Sequence, residues 1–367
     1  LSRESKKKNI NYQLKLSNVA ILFEKKGKVI SYKKNIFYKK KSSILKKNKK
    51  IAYIMFTSGS TGNKKGVVIS RSNVENYYNS IEGITKNVSF KSILITTELI
   101  FDICIGDIIF ALIKKSKIIL TSSASNLISL FNLMNLHRPE EIYAVPTTWK
   151  KIIKYSSKFD RSSFRNVKLI TSGGEALTKN VVKNLFKLFP NAKILNVYGP
   201  TEFTVNVTYF NIDRKKFANY DIMPLGKKLK NVSVAIRKEK GNHGELLLAG
   251  DQKMLGYLDG IKSPDVHYNG KIYYATGDIV YLDKKNNINF IGRKSDYIKV
   301  SGYRINLSSL ETTIKKHLNL EICLISKFDK IHMFIFQNKN NLLIKKLNKI
   351  FEKNLEKFEI PSSVIFQ

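Results

Sequence analysis

The chain has 367 residues, of which 43% are hydrophobic, and 65 lysines and arginines against 28 aspartates and glutamates give a formal net charge of +37. This length exceeds one ordinary hydrophobic core and predicts two domains with a fragment of a third. Such a charge is typical of proteins that bind nucleic acid, but only nine of the basic residues are arginine and no aromatic residues interleave with the lysine runs. The composition therefore argues against nucleic acid as the partner.

The N-terminal residues 1–50 are rich in lysine and contain one clear strand pattern, NVAILFEKKGKVI, which turns at Gly27. Leu1 is not an initiator methionine, and no secretory leader opens the chain. We interpret this stretch as the remnant of an N-terminal subdomain whose beginning is missing.

Residues 51–294 have the pattern of a large α/β body. Short apolar segments typical of strands alternate with segments typical of helices, as in parallel βαβ units, and from about Met223 short strands and turns predict a β-meander. The most apolar window, Leu94 to Ile113, includes Glu98, Asp102 and Asp107. Three carboxylates make a membrane span too costly, so we predict buried structure of a soluble domain there.

Residues 295–367 predict a small α+β lobe, because a helix pattern, two short strand patterns and a lysine-rich helix follow one another. The predicted architecture is thus α/β, or α+β overall, with a parallel sheet and a β-meander in the large body and a small mobile C-terminal lobe. Cys104 and Cys323 lie far apart in no metal-binding spacing. They predict neither a zinc site nor a disulfide, and they favour the cytoplasm.

The stretch YIMFTSGSTGNKKGV, Tyr53 to Val67, places hydroxyls, glycines and lysines directly after an apolar strand pattern. Glycines let the backbone turn and approach a ligand closely, while the hydroxyls and a lysine charge suit a polyphosphate. The stretch matches neither GxxxxGK[ST] nor GxGxxG. Taken alone, it could equally be a Ser/Gly turn between a strand and a helix.

Four further motifs follow in order: NVYGPTEFTVNVT from Asn196, GELLLAG from Gly244, YYATGDIVYLD from Tyr273 and GRKSDYIKVSGYRI from Gly292. With the first stretch, this ordered set resembles the adenylate-forming superfamily. That superfamily contains acyl-CoA synthetases, luciferases, and the amino-acid adenylation domains of peptide synthetases and D-alanine:carrier-protein ligases. The resemblance extends from Ala52 to Gln367 and implies ATP and Mg²⁺ as cofactors.

The resemblance also implies roles for single residues. Lys65 lies on the pyrophosphate side, Thr201 bonds the α-phosphate, and Glu202 holds Mg²⁺; these three are the predicted catalytic residues. Tyr198 stacks on adenine, although the residue without the other motifs would be typical of a buried core aromatic. Asp278 accepts hydrogen bonds from the ribose hydroxyls, although without the other motifs it would be typical of a turn. The full set of implied nucleotide-binding residues is Thr57, Ser58, Gly59, Ser60, Thr61, Gly62, Gly174, Glu175, Asn196, Tyr198, Gly199, Asp278 and Arg293.

The substrate class depends on FDICIGDI, Phe101 to Ile108, which resembles the FDxS segment of the superfamily. In the amino-acid-activating branch the aspartate, here Asp102, pairs with the substrate's α-ammonium group. A carboxylate among apolar neighbours is costly to bury without a cation; the alternative is an aspartate that faces solvent. The other implied pocket residues are Ile103, Gly106, Ala144, Ile170, Ser172, Val197, Val205 and Asn206.

These pocket residues include no acid or base, which predicts a small neutral amino acid as substrate. D-alanine is one candidate, because the run LFPNAKILNVYGPTEFTVNVT resembles D-alanine ligases in particular. Gly173 argues against it, because those ligases carry cysteine at this place. The resemblance implies a hinge at Ser295 and Asp296, and a catalytic lysine near the C-terminus. Neither Lys353 nor Lys357 has the required context for that lysine, so the chain is predicted to be truncated at both ends.

The predicted function is ATP-dependent activation of an amino-acid carboxylate to aminoacyl-AMP with release of pyrophosphate. Transfer to the phosphopantetheine thiol of a phosphopantetheinylated carrier protein follows. Two alternatives remain: an AMP-forming acyl-CoA synthetase of a non-amino acid, and a degenerate nucleotide-binding homologue without catalytic activity.

Overall fold

A computed structural model describes residues 21–26, 29–34, 50–58, 64–121, 126–240, 242–258, 260–294, 297–300, 303–318, 320–327, 330–355 and 359–367. This part of the chain forms 22 strands and seven α-helices. The strands are β1 (Ile21–Lys26), β2 (Val29–Lys34), β3 (Ile51–Ser58), β4 (Lys64–Ser70), β5 (Ser92–Ile95), β6 (Lys117–Leu120), β7 (Glu141–Tyr143), β8 (Leu169–Gly173), β9 (Lys193–Tyr198), β10 (Thr208–Ile212), β11 (Lys227–Lys228), β12 (Val232–Lys240), β13 (His243–Gly250), β14 (Gly256–Tyr257), β15 (Asp265–Tyr268), β16 (Lys271–Leu282), β17 (Ile288–Arg293), β18 (Tyr297–Val300), β19 (Tyr303–Asn306), β20 (Ile322–Lys327), β21 (Lys330–Ile335) and β22 (Ser363–Phe366).

The helices are α1 (Arg71–Thr85), α2 (Asp102–Lys114), α3 (Leu127–His137), α4 (Pro146–Tyr155), α5 (Lys179–Leu188), α6 (Leu307–Leu318) and α7 (Asn341–Asn354). None of the helices in the described ranges is long and apolar enough to cross a membrane. The apolar window Leu94 to Ile113 divides between the end of β5 and most of α2, so its hydrophobic residues form two elements.

The described residues group into two compact units. The first draws on 1–234, 248–274 and 284–288, and the second on 235–247, 275–283 and 289–367. The mixed composition of helices and sheets confirms the predicted α/β class. The boundaries 1–50, 51–294 and 295–367 stay a prediction.

The first unit contains a seven-stranded sheet in the order β11-β10-β9-β8-β7-β5-β6. Five strands, from β6 to β9, are parallel, whereas β10 and β11 join antiparallel. Parallel strands need cover on both faces and therefore have nearly continuous apolar sequences. Every residue of β5, SILI, is buried, in agreement with this rule.

The two faces of this sheet pack against different helices. Residues of α3, α4 and α5 form a core with Ile142, Ile170 and Ile194 of β7, β8 and β9. Successive side chains of a strand point to opposite faces. Neighbours such as Tyr143 and Thr171 accordingly lie against α1 and α2. This alternation decides which predicted residues can reach the site.

A smaller sheet of the first unit has the order β14-β4-β3. Helix α1 begins directly after β4, where Ser70 and Asn73 form a capping box. The Asn73 amide also donates to the carbonyls of Asp251 and Lys253, at 2.6 and 2.8 Å. This buried amide fixes the segment that leads into β14 beside the start of α1.

In the second unit, β20, β21 and β22 form a sheet in that order, antiparallel between the first two and parallel between the last two. Its core includes Ile314 of α6 and Met333 and Ile335 of β21, all without solvent exposure. The pairing of α6 and α7 with this sheet agrees with the predicted α+β lobe. Strands β18 and β19 form a separate antiparallel hairpin.

Candidate active site

The predicted site residues of the first unit lie at strand ends and in the turns that follow them. Thr57 and Lys65 face each other in the β3–β4 pair, Asp102 is the first residue of α2, and Tyr198 ends β9. The predicted residues Gly59, Ser60, Thr61, Gly62, Ser295 and Asp296 lie outside the described residues. Ser58 belongs to β3, but its side chain is likewise not described.

The turn after β9 holds Thr201 and Glu202 in a single 3₁₀ turn, Thr201–Phe203. Gly199 is required just before it, since a Cβ there would lie 2.2 Å from the Val205 carbonyl oxygen. Thr204 and Val205 follow with positive φ of 54° and 70°. A β-branched residue rarely adopts this conformation, and such strain is characteristic of functional sites.

Gln252 holds this strained turn in place. Its fully buried amide donates to the carbonyls of Asn206, at 2.9 Å, and Phe203, at 3.2 Å. The Thr204 hydroxyl in turn donates to the backbone carbonyl of Gln252 at 2.7 Å. Gln252 belongs to no motif and comes from a segment far along the chain, so no sequence signal pointed to it.

The Asp102 carboxyl lies beside this turn. Burial raises the pKa of Asp102 to about 6, while hydrogen bonds from the Thr201 hydroxyl and the Ile103 N–H lower it and the Glu202 charge raises it. Its Oδ2 atom is buried and has no hydrogen-bond partner among the described residues. A solvent-facing aspartate, the alternative considered from the sequence, does not match this placement. The carboxyl, at the N-terminus of α2, can accept hydrogen bonds from the N–H groups of a cationic ligand.

Two tyrosines that the sequence analysis did not identify contact Glu202. The Tyr257 hydroxyl donates to Glu202 Oε1 at 2.7 Å, and the Tyr274 hydroxyl bonds both Glu202 and Tyr257. Burial, and then the Glu202 charge, raise the pKa of Tyr274 above its usual range. Lys65 Nζ lies 5.3 Å from the centre of the Tyr257 ring, a cation–π distance. Tyr257 therefore links the predicted phosphate-side lysine to the predicted metal ligand.

The groups around Glu202 fit a Mg²⁺ ion that takes a single carboxylate ligand from the protein. No group of three or more histidines, cysteines, aspartates or glutamates in the described ranges could hold a metal ion by itself. Mg²⁺ commonly takes one or two carboxylates from a protein and its other ligands from phosphates and water. A single oriented carboxylate suits that arrangement.

Three of the predicted pocket residues, Gly106, Val197 and Asn206, line one narrow cavity of about 20 Å³ between the sheet and helices α1 and α2. A Cβ on Gly106 would lie 2.6 Å from Val205 Cγ1, so Val205 also adjoins it. Ile103 lies nearby, with its Cδ1 atom 3.4 Å from the Cβ position of Gly174. The structure thus brings four of the eight predicted positions, Gly106, Val197, Val205 and Asn206, around one space.

Ala144, Ile170 and Ser172 are not brought to this cavity. Ala144 and Ile170 are buried in the core under α3, α4 and α5, and Ser172 shares a face of β8 with Ile170 because strand side chains alternate. Thr171 lines the cavity instead. A Cβ on Gly173 would lie 2.6 Å from the hydroxyl of Tyr143, which also lines the cavity. The residues of β8 on the cavity side are therefore Thr171 and Gly173, whereas the predicted Ile170 and Ser172 lie on the opposite face.

The remaining nucleotide-side predictions of the first unit are dispersed. Asn196 is buried and its amide donates to the Pro224 carbonyl at 2.8 Å. Gly174 is exposed with a φ of +81°, and the exposed Glu175 accepts from the Thr147 N–H and hydroxyl at 2.9 and 2.6 Å. Tyr198 is half-buried at the end of β9.

In the second unit the structure brings Asp278 and Arg293 together. Arg293 Nη1 lies 3.1 Å from Asp278 Oδ1, and Nη2 donates to the Thr276 carbonyl at 3.2 Å. Asp278 is 3% exposed, so its partner compensates a nearly buried charge. The two residues predicted for the ribose side are thus neighbours.

Asp107 and Glu141 are two buried acids that the sequence analysis did not place near the pocket. They are 2% and 0% exposed, and Asp107 lines the narrow cavity. Burial raises the pKa of Glu141 to about 8, and burial with the Glu141 charge raises the pKa of Asp107 well above its usual range. The Thr171 hydroxyl donates to Glu141 Oε1 at 2.9 Å.

The raised pKa of Glu141 predicts a pH-dependent effect of Glu141→Gln. In the folded state Glu141 keeps a proton that the unfolded chain releases above the ordinary glutamate pKa of 4.5. The wild type therefore has its full free energy of unfolding below pH 4.5 and loses part of it as the pH rises towards 8. Glutamine does not titrate. We expect the variant's free energy of unfolding to gain on the wild type by up to ~1.4 kcal/mol per pH unit in this window.

Urea unfolding at about pH 5 and pH 8 measures this difference. Glu98→Gln makes the same chemical change at an exposed position and is the matched control. A difference between Glu141→Gln and the wild type that is the same at both pH values would contradict a raised pKa at Glu141.

Comparison with known proteins gives one family match. The sequence model described as "AMP-binding enzyme" matches residues 3–258. Bacitracin synthase 2 of Bacillus licheniformis is 28% identical over 339 residues, which cover 86% of this chain and 12% of that protein. The D-alanine–D-alanyl carrier protein ligase of Listeria innocua serovar 6a is 29% identical over 312 residues, 79% of this chain and 60% of the ligase.

The chain therefore spans 60% or less of these two relatives. Among solved structures, that of the anthranilate CoA ligase AuaEII in complex with anthranoyl-AMP has a TM-score of 0.69 and 20% identity. The match covers 86% of this chain and 63% of that one. At this identity the likeness shows the fold.

Proposed function

The chain belongs to the AMP-binding enzyme family, and from this premise we propose that it activates an amino acid by adenylation. This membership confirms the resemblance to the adenylate-forming superfamily. The reaction proposed is that of an AMP-forming acid–thiol ligase: an amino-acid carboxylate and ATP give aminoacyl-AMP and pyrophosphate. A thiol of a phosphopantetheinylated carrier protein then takes the aminoacyl group and AMP leaves. Carrier proteins appear in the name of the Listeria relative, which supports this second step.

The observation that carries the proposal is the Asp102 carboxyl. The residue is half-buried at the N-terminus of α2 and bonded to the Thr201 hydroxyl, and its Oδ2 atom is buried without a partner among the described residues. A buried carboxylate without a cation is unfavourable, and an α-ammonium group would supply both charge and donors. Thr201 would then set the distance between this ammonium group and the reacting carboxylate.

In the first step, a carboxylate oxygen attacks the α-phosphorus and the bond to the bridging oxygen breaks, so that its electrons leave with pyrophosphate. Such chemistry needs positioning and charge neutralisation. Lys65 supplies a positive charge held at the Tyr257 ring, and Thr201 a hydroxyl in the strained turn. Glu202 would hold Mg²⁺, which neutralises phosphate charge when bound.

We expect Tyr257→Phe to lower the rate of adenylation by about 10- to 100-fold, since a hydrogen bond to a charged group contributes about 1.5–3 kcal/mol. The variant keeps the ring near Lys65 and loses only the hydroxyl that orients Glu202. Its rate should recover in part at high Mg²⁺ concentration, with KM for the amino acid little changed. Steady-state kinetics over a Mg²⁺ series test this.

Tyr155→Phe, at the end of α4, is the matched control and should match the wild type. A Tyr257→Phe enzyme with wild-type rate and Mg²⁺ dependence would show that Tyr257 does not position Glu202.

The identity of the cleaved products tests the function itself. The chain is incubated with α-labelled ATP, Mg²⁺, hydroxylamine and single carboxylic acids, and we expect labelled AMP and an amino-acid hydroxamate. Hydroxamates from fatty or aryl acids alone would indicate an acyl-CoA synthetase instead. ADP and phosphate as products, or ATP binding without cleavage for every acid, would contradict adenylation.

A further inference from the structure

Glu245, in the GELLLAG motif, is a buried acid to which the proposed reaction gives no role. It lies on β13 and is 3% exposed. In its sheet, β13 lies between β12 and β16, and β17 pairs with β16. A carboxylate in such a place is costly unless donors and cations surround it. The partners of Glu245 therefore indicate what its charge does.

Donors from three segments of the second unit converge on the Glu245 carboxyl. The Gly277 N–H of β16 donates to Oε1 at 3.1 Å. Arg237 Nη2 of β12 donates to Oε2 at 2.5 Å, and Lys294 Nζ, directly after β17, donates to the same oxygen at 3.2 Å. One carboxyl oxygen thus bonds two cations, and the other bonds the backbone of β16.

The backbone that Glu245 bonds in β16 leads directly into Asp278. Gly277 has a φ of +74°, a left-handed conformation that glycine adopts without strain. The Asp278 N–H donates to the Thr276 hydroxyl at 3.0 Å, and this hydroxyl donates to the Leu246 carbonyl at 2.8 Å. Two successive residues of β13 therefore hold the segment 276–278.

Arg293 meets the same segment from β17. Besides its bonds to Asp278 and to the Thr276 carbonyl, its Nη2 atom lies 3.4 Å from the position that a Cβ on Gly277 would take. A shift of the Gly277 backbone would therefore change how Asp278 meets Arg293. The two residues predicted for the ribose side depend in this way on the hydrogen bond that Glu245 accepts.

A purely structural role is the alternative for this acid. Buried ion pairs contribute little net stability, because well-packed apolar residues often replace them without loss. A fully bonded buried polar group does, however, fix one particular geometry of its neighbours. Glu245 accepts from the N–H group directly before Asp278, so the geometry that it fixes is that of the predicted ribose carboxylate.

We propose that Glu245 is a positioning residue for ATP, which holds the Asp278 carboxyl in place for the two ribose hydroxyls through the Gly277 N–H. The inference rests on the proposed function and adds a residue to its nucleotide side. Glu245 acts through Asp278 and makes no bond to the ribose itself. Without the Glu245 carboxyl, the chain should still bind the nucleotide but recognise its ribose hydroxyls only weakly.

Calorimetric binding of ATP and of 2′,3′-dideoxy-ATP in the presence of Mg²⁺ tests the inference, because these nucleotides differ only in the ribose hydroxyls. We expect the wild type to bind ATP about 10-fold or more tightly than the dideoxy nucleotide. Glu245→Met keeps an unbranched side chain but removes the carboxyl, and should lower this preference by about 5- to 10-fold. Glu245→Gln, the milder change, should lower it in the same direction.

Asp278→Asn shows whether Glu245 acts through Asp278. This variant should lose the preference by itself, and Glu245→Met in the same chain should lower it no further, since two changes to one interaction do not add. Glu311→Met is the matched control, because Glu311 also accepts from a lysine, Lys315, and from a backbone N–H, that of Leu324, at 2.8 Å each. It should keep the wild-type preference.

The ratio of the two dissociation constants within one variant does not depend on the fraction of protein that is folded. An unchanged ratio in Glu245→Met and Glu245→Gln, an equal loss of affinity for both nucleotides, or a wild type that binds both equally would overturn the inference. Hydroxamate formation, measured separately, would then still support adenylation. No binding of either nucleotide would overturn the inference and the proposed function together.

Discussion

Glu202→Gln will lower amino-acid-dependent ATP–pyrophosphate exchange by about 10²- to 10³-fold, the largest effect that this site predicts. Glutamine keeps the size of the side chain and can still accept from Tyr257, but it loses the charge that the proposed Mg²⁺ ligand needs. Binding of ATP without Mg²⁺ should change little. Exchange kinetics together with nucleotide binding in the presence of a chelator separate the two effects.

The control for this variant is Glu82→Gln, which makes the same chemical change at an exposed position of α1. It should retain the wild-type rate. If Glu202→Gln retained it too, Glu202 would have no part in the reaction and the turn after β9 would not be the phosphate site.

Asp102→Asn will raise KM for the amino acid and lower kcat/KM by about 30- to 1000-fold, with ATP binding retained. The substrate's ammonium group would lie beside a buried carboxyl oxygen without a counterion. The loss of one partner of such a half-buried pair costs about 2–4 kcal/mol, the lower part of the range for ion pairs. Asparagine can still accept from Thr201, so the turn should remain in place. Exchange is measured with an amino acid and with its des-amino analogue.

The des-amino analogue provides the internal control, because it has no ammonium group to lose. Asp102→Asn should bring the two substrates close to parity, whereas the surface variant Asp213→Asn should not. Equal losses for both substrates would indicate that Asp102 supports the turn rather than binding the substrate.

The sequence predicted the α/β class, and it predicted three site residues that are neighbours in the structure. Asp102, Thr201 and Glu202 come from two motifs almost a hundred residues apart, and the structure places them side by side. Their roles came from the resemblance and remain proposals. The structure adds the environment of these residues, because a sequence does not show that a carboxyl oxygen is buried or that it has no partner among the described residues.

The residues that the sequence did not reveal act through contacts across long distances in the chain. Tyr257 reaches Glu202 from a short strand, and Gln252 holds the strained turn from outside any motif. In β8, a displacement of one residue exchanges the two faces of the sheet. Ile170 and Ser172, which stay a prediction for the substrate pocket, lie on the face towards α3, α4 and α5, whereas Thr171 lines the narrow cavity on the other face.

Asp107 shows the same limit in another way. In sequence it is one acid in an apolar helix and would be expected on the surface. Its burial beside Glu141 depends on β7, a strand that follows more than thirty residues later. The sequence therefore did not show that these two acids lie side by side.

ATP–pyrophosphate exchange by the chain, measured across the proteinogenic amino acids, D-alanine, and a few aryl and fatty acids, is the most direct test of amino-acid adenylation. We expect exchange with an amino acid, and we expect Asp102→Asn and Glu202→Gln to abolish it or reduce it strongly. Exchange supported equally by fatty or aryl acids, and unaffected by Asp102→Asn, would contradict amino-acid adenylation.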